Sequence, residues 1–369
     1  MSVASKTPKR LYVSISSHGY GHIGQMAPIL NKLMFERGDQ IEITLQCGAR
    51  EQFLKQTFHF DFKHIEKSDD IGMLMANSLD VQPQKSHRAY REYHERWPKE
   101  AMLKTREIDR QRADVVLSNV SYLTLAAGKQ LNRPTLGLCS LNWADIYYSY
   151  CHLLPGSDEI YQKALSHYQE ADRFLIPTPG MAMDSITNRV SIGPVARLGN
   201  HFPGFRRHLN LPESTQLVMV SMGGIPHKTE HQSWPVIENT VWIDASATST
   251  SRADVIPLAQ LPYQFIDVLR HCDLLISKPG YGLFTEASCN GVPLLYVKRD
   301  LWPEQPPLVK WLQQHNNCAE LDREAFHAGN FELEVKSLLQ ASRSNPITPC
   351  SPLGVGDACG HILEALELR

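Results

Sequence analysis

Apolar residues in this chain fall into short runs that alternate with stretches of helical spacing. Leu11-Tyr-Val-Ser-Ile-Ser16 is a β-rich run, and after it Ile23, Met26, Ala27, Leu30, Leu33 and Met34 recur along one helix face. Arg37-Gly38-Asp39 stops that helix, Ile41 to Gln46 reads as a second strand, and helix-forming residues follow from Glu51. Asp114-Val-Val-Leu-Ser118 and Pro134-Thr-Leu-Gly-Leu138 are apolar strands separated by an alanine- and leucine-rich helix, Tyr122 to Leu131. Strand alternating with helix predicts an α/β chain whose mostly parallel sheet is covered on both faces.

A second series of the same kind follows Gly193-Pro194, where Gly199, Pro203 and Gly204 stand among basic residues and read as a linker. Its strands are Leu217-Val-Met-Val-Ser221, Val241-Trp-Ile243, Leu274-Leu-Ile-Ser277 and Pro293-Leu-Leu-Tyr-Val297, with helices between Pro262 and His271 and between Leu283 and Asn290. Asp357 to Leu368 reads as a short amphipathic helix. The expected division is a domain over 1–194, a second over 195–355 and a C-terminal helix over 356–369, with no internal repeat. Between Lys85 and Arg112, nine Lys/Arg stand against five Asp/Glu around Tyr90, Tyr93 and Trp97, which reads as a solvated helical face.

Composition narrows the function classes. At 369 residues and 42% hydrophobic content the chain can fill two cores, and a net charge of −2 suggests no nucleic-acid or anionic-membrane partner. The eight cysteines form no C-x-x-C pair and several lie in apolar runs, the pattern of reduced thiols in a cytoplasmic protein. The polar first ten residues lead us to expect no signal peptide, and no stretch has transmembrane length.

The chemistry concentrates at two glycine-punctuated strand-to-helix turns, which imply two sheets facing one cleft. In the first, His18, Gly19, Tyr20, Gly21 and His22 open a helix whose positive end faces the carboxyl end of the sheet. His22 replaces the small third residue of a dinucleotide fingerprint, and Gln46 and Cys47 stand where a ribose-binding acid would end strand two, which disfavours a nicotinamide dehydrogenase. A histidine at a helix N-terminus suits a general base near neutral pH; the alternative is a hydrogen bond to a neighbouring loop.

The second turn carries Lys278 to face a phosphate, Gly280 and Gly282 for close backbone approach, Tyr281 to stack or pack, and Glu286 one turn into the helix to accept from a ribose diol. Glu304 and Gln305, at the mouth of the next loop, suit sugar hydroxyls or else cap a helix. Gly223 and Gly224 after Ser221 offer backbone donors to a diphosphate, or form a plain turn.

In order, S-H-G-Y-G-H-I-G-Q-M-A-P, G-P-V-A-R, S-M-G-G, S-K-P-G-Y-G-L-F-T-E-A and E-Q resemble the GT-B glycosyltransferases, among them the lipid II synthesis transferase, the galactolipid synthases and the plant UDP-glycosyltransferases. S-L-N-W-A-D-I-Y, V-K-R-D-L-W-P-E-Q-P and G-H-I-L-E-A add a narrower likeness to the glycosyltransferase-like N-terminal half of plant L-arabinokinases, without the galactokinase-type domain that follows there. The resemblance implies a GT-B fold of two Rossmann-like domains, acceptor domain first and donor domain second, with the C-terminal helix returning to the first. It implies His22 as base on the acceptor hydroxyl, Lys278 on the diphosphate, Glu286 on the ribose, and Glu304 with Gln305 on the donor sugar. Gly282 and Leu283 replace an asparagine and a serine of the plant enzymes. Asn119 stands where those enzymes carry the aspartate that orients the histidine; an amide can bond an imidazole but lacks the charge to stabilise an imidazolium.

The resulting expectation is transfer from a nucleotide sugar, UDP-linked, to a small-molecule or lipid hydroxyl. No metal or other cofactor is expected, since Lys278, the helix dipole and the glycine amides meet the leaving-group charge. Asp69-Asp70, the adjacent acidic pair, reads as part of a polar segment with no strand leading into it. The rival expectation is a non-catalytic nucleotide-sugar-binding or regulatory module, favoured by Asn119. A 2-epimerase would need further carboxylates in the cleft. Peripheral membrane contact stays open.

Overall fold

The computed structural model describes residues 7–77, 79–223, 231–299 and 301–368. Two compact units are formed, one from residues 1–76, 81–195 and 353–369 and the other from 77–80 and 196–352.

The first unit contains β1 (Lys9–Ile15), α1 (Gly21–Arg37), β2 (Ile41–Gln46), α2 (Glu51–Thr57), β3 (Lys63–Ile65), α3 (Pro83–Glu95), α4 (Trp97–Arg110), β4 (Val115–Asn119), α5 (Tyr122–Gln130), β5 (Thr135–Leu138), α6 (Trp143–Cys151), α7 (Ser157–Gln169), β6 (Arg173–Pro177) and β7 (Arg189–Ile192). Among the described residues its sheet has seven parallel strands in the order β3-β2-β1-β4-β5-β6-β7. Leu11 through Ile15 and all of β4 are buried, as strands covered on both faces require. Ser121 and Asn142 cap α5 and α6 by accepting from the backbone N–H groups of Thr124 and Asp145.

The second unit contains α8 (Phe205–His208), β8 (Gln216–Ser221), β9 (Thr240–Asp244), β10 (Val255–Pro257), α9 (Phe265–Arg270), β11 (Leu274–Ser277), α10 (Tyr281–Asn290), β12 (Leu294–Val297), α11 (Gln305–His315), β13 (Cys318–Leu321), α12 (Arg323–Ala328) and α13 (Glu332–Ser344). Its described strands form a six-stranded parallel sheet, β10-β9-β8-β11-β12-β13. Val218, Val220, Trp242, Ile276, Val297 and Phe331 belong to one of its apolar clusters. Leu79 joins the same cluster, and Asp80 accepts two hydrogen bonds from Arg323 at 2.6 and 2.8 Å.

The last helix, α14 (Gly354–Ala365), belongs to the first unit. Cys359 donates to the Ile29 carbonyl of α1 at 3.4 Å, and Glu364 takes both arms of Arg173 at 2.8 and 2.9 Å. All eight cysteines are free, six of them buried.

Candidate active site

In the first sheet the chain steps outward from β1 through β2 to β3 and then returns to the other side of β1 as β4. Strand order reverses between β1 and β4, the position at which open α/β sheets bind ligands at the carboxyl ends of their strands. The register pairs Ile15 with Asn119, so the turn after β1 and the end of β4 face each other. Gly19 turns the chain at φ 79°, a left-handed conformation that favours glycine, and α1 starts two residues later with His22 in its first turn.

His22 and Asn119 are both buried, and His22 Nδ1 lies 2.8 Å from Asn119 Oδ1. The Asn119 amide N–H₂ is committed to Gln25 Oε1 at 2.7 Å, and Gln25 in turn donates to Ser140 Oγ at 3.3 Å. This chain of bonds assigns the amide oxygen to the ring, so Nδ1 carries the proton and Nε2 is the acceptor. The Cys139 thiol lies 3.7 Å from the same Nδ1.

Trp143, the first residue of α6, joins this group to a carboxylate. Its ring lies 5.7 Å from the His22 ring and 5.0 Å, edge to face, from the His18 ring, while its indole N–H donates to Asp70 Oδ2 at 2.6 Å. Burial pushes the Asp70 carboxyl up, and bonds from Ser16 and Trp143 together with the nearby His22 charge pull the other way.

The reading of Asp69-Asp70 as a polar segment without a strand is corrected: β3 ends four residues upstream, and both carboxylates turn inward. Asp69 is buried, 2.5 Å from the fully buried Lys104 ammonium, and accepts from Thr124 at 2.8 Å and Ser14 at 3.1 Å. Gln46 donates to Asp69 at 2.5 Å and accepts from Tyr12 and Lys104. The strand-two position that lacks a ribose acid therefore holds a buried polar network together.

The solvated face expected over Lys85–Arg112 is present: Lys85, Arg88, Arg91, Arg96, Lys99, Arg106, Arg110 and Arg112 are exposed, and Lys104 alone of the basic residues there is buried. That segment forms two helices, α3 and α4, with Tyr90 and Trp97 buried, and Trp97 stacks on His167 at 4.4 Å. The aromatic side chains take the inner face of these helices, and Lys104 pairs with Asp69 inside the protein.

The second sheet repeats the reversal: β8 lies between β9 and β11, so its switch point falls between β8 and β11. Gly223 follows β8 and Lys278 follows β11. Gly223 sits at φ 80°, and a side-chain carbon there would come within 3.2 Å of Lys278 Cε. Gly224 lies outside the described residues. The helix begins at Tyr281 rather than near Leu283, which makes Tyr281 a buried first-turn residue. Ideal side-chain carbons on Gly280 and Gly282 would meet nothing within 4 Å, so both leave space at the start of α10.

Lys278 shares this place with a second cation. Burial, and then the Arg299 guanidinium, push its ammonium down to about 7, while Glu304 acts in the opposite direction. Arg299 is buried and lies 4.0 Å from the Trp302 ring centroid. Glu304 accepts from the Trp302 indole at 3.2 Å, and Gln305 Oε1 accepts from the Arg299 backbone at 2.9 Å. Neither side chain caps α11; both fold back on the loop before it.

Glu286 is in α10 but is not an open carboxylate. It is 2% exposed, and Oε1 pairs with Arg197 Nε at 2.6 Å.

Asp70, Trp143, Arg197 and Arg299 were not singled out from the sequence for chemistry. The last three lie within the S-L-N-W, G-P-V-A-R and V-K-R-D stretches, where an arginine or an indole beside a predicted turn was a usable signal. Asp70 had none, since its position depends on a buried lysine more than thirty residues away in sequence.

No family model matches the chain. It is 24% identical over 366 residues to L-arabinokinase of Arabidopsis thaliana, an alignment covering 95% of this chain and 34% of that protein, so the chain spans about a third of the curated relative's length. Among solved structures, a calicheamicin glycosyltransferase aligns with a TM-score of 0.66 at 13% identity, over 97% of this chain and 98% of the other. MurG from Acinetobacter baumannii gives 0.58 at 13% over 97% and 100%, and a protein described as a UDP-N-acetylglucosamine 2-epimerase from Listeria monocytogenes gives 0.59 at 14% over 98% and 97%. These likenesses establish the GT-B fold. No helix among the described residues is long and apolar enough to cross a membrane.

Proposed function

We infer that the protein is a glycosyltransferase that moves a sugar from a nucleotide-sugar donor, UDP-linked, to an acceptor hydroxyl. The observation that carries this reading is the His22–Asn119 bond at 2.8 Å, which orients a helix-terminal imidazole with Nε2 as its acceptor nitrogen at a strand switch point. Nε2 takes the proton of the acceptor hydroxyl, the oxygen bonds the anomeric carbon, and the bond from that carbon to the diphosphate breaks with its electron pair leaving on phosphate.

Lys278, Arg299 and the N-terminus of α10 support the donor side, because cations and helix N–H groups stabilise charge developing on a diphosphate. Neutral or charged, Lys278 remains a hydrogen-bond donor, and no metal is required for that step. An acceptor bound by the first unit, a small molecule or a lipid, completes the reading.

A second reading is a nucleotide-sugar-binding module without turnover, favoured by the neutral side chain at Asn119. Calorimetry with UDP, UDP-sugars and GDP-sugars, followed by product analysis with the preferred donor, separates the two. Transfer or donor hydrolysis supports the enzyme; binding without turnover supports the module; a C2-epimerised donor would move the assignment to an epimerase.

A further inference from the structure

His22 has an orienting partner in Asn119, and that partner is neutral. We propose that Asp70 supplies charge to this histidine: Asn119 sets the direction of the ring, and Asp70 supports its protonated form through space, the Trp143 indole lying beside both. The inference deepens the proposed function and rests on it only for His22 acting as the base.

The geometry converges on Trp143. Asp70 Oδ2 sits 2.6 Å from the indole nitrogen, and the His22 ring centroid is 5.7 Å from that of the indole. The carboxylate is held from behind by its neighbour, since Asp69 is tied to Lys104, Gln46, Ser14 and Thr124, and Tyr93 donates to the Asp69 carbonyl at 2.9 Å. Asp69 therefore has its own cation, whereas Asp70 is met by neutral donors: the Trp143 indole, the Ser16 hydroxyl and Ser68 Oγ at 3.2 Å. A desolvated carboxylate with neutral donors favours a cation in reach, and protonated His22 is the cation that lowers the pKa of Asp70. The coupling is reciprocal, so Asp70 must favour protonated His22 by the same free energy.

Several groups beside His22 are neutral or of the wrong sign. On the β5 side is Cys139, a buried thiol, and on the β1–α1 turn is His18, which opposes a second positive charge when protonated. From β4 comes the neutral Asn119, and from α6 the neutral indole. Tyr90, Tyr93 and Tyr122, within reach of the Asp70 charge, have hydroxyls pushed well above their ordinary range by burial and by neighbours including Asp70, so they stay neutral.

The test needs no substrate, which keeps it separate from the fate of the proposed function. Ring nitrogen NMR titration of His22 in the full chain, wild type against Asp70→Asn, should show its pKa fall by about 1 unit or more. The asparagine oxygen can still accept from Trp143 and Ser16, so a purely structural role would leave the titration in place. An unchanged His22 pKa in folded Asp70→Asn overturns the proposal. If that variant does not fold, carboxyl carbon titration of Asp70 in wild type and His22→Gln reads the same coupling from the other side: a rise in the variant supports it and identical curves overturn it.

Discussion

Asn119 points its amide oxygen at His22 and its amide nitrogen at Gln25, at 2.8 and 2.7 Å, so the histidine proton is assigned to Nδ1 by a polarity that runs on to Ser140. Asn119→Asp substitutes a charge where the structure holds a dipole. The His22 pKa should rise, and because the base must be unprotonated, the acid limb of a pH–rate profile for donor turnover should move to higher pH. A profile that keeps its acid limb in a folded variant would remove His22 from the rate-determining proton transfer.

Lys278 gives a second pH signature. With its pKa pushed down to about 7, the folded protein holds this amine neutral over a range where an unfolded lysine, near 10.5, is charged. The unfolded state then binds more protons, so this group makes stability rise with pH between about 7 and 10.5. Denaturant melts of wild type and Lys278→Met across that range should show the rise reduced in the variant. A diphosphate placed on Lys278 should restore its charge, so calorimetry at pH 8 in buffers of different ionisation enthalpy should detect proton uptake on binding UDP, absent in Lys278→Met.

The buried Lys104–Asp69 pair is expected to behave as a structural joint. Lys104→Met strands a carboxylate in the interior and should cost about 3 to 5 kcal/mol. Adding Asp69→Asn should recover part of that loss, and chemical denaturation of the two variants checks it. Equal stabilities for the single and double variants would mean that Asp69 finds another route to neutrality.

Glu286 is buried against Arg197, so Glu286→Ala should lower stability as well as nucleotide affinity, whereas a free ribose carboxylate would change affinity alone. Losing a charge-assisted bond of this type is worth about 1.5 to 3 kcal/mol. Thermal melts beside UDP titrations of Glu286→Ala and Arg197→Ala separate the two effects: unchanged melting in both variants would contradict the structural role of the pair.

Much of this was legible in the chain. Fully buried strands such as Leu11–Ile15 and Leu274–Ser277 advertise themselves as apolar runs, and the turns carrying His22 and Lys278 announce the helices behind them. The edge strands Lys63–Ile65 and Val255–Pro257 were not legible, because three residues are too few to show a strand's period. Register made the larger difference. Only parallel pairing of β1 with β4 brings Asn119 to His22, and only the interior tie of Asp69 to Lys104 turns Asp70 inward. Glu286 reads as an open ribose ligand in sequence because nothing there says that Arg197 folds back onto it.

The most direct measurement follows nucleoside diphosphate release from the preferred UDP-sugar in the presence of acceptor, for wild type and His22→Ala, with donor affinity measured on the same preparations. The account predicts release by the wild type, a loss of roughly 10²- to 10⁴-fold in the variant, and the same donor affinity in both. Release at equal rates in the two proteins would contradict it.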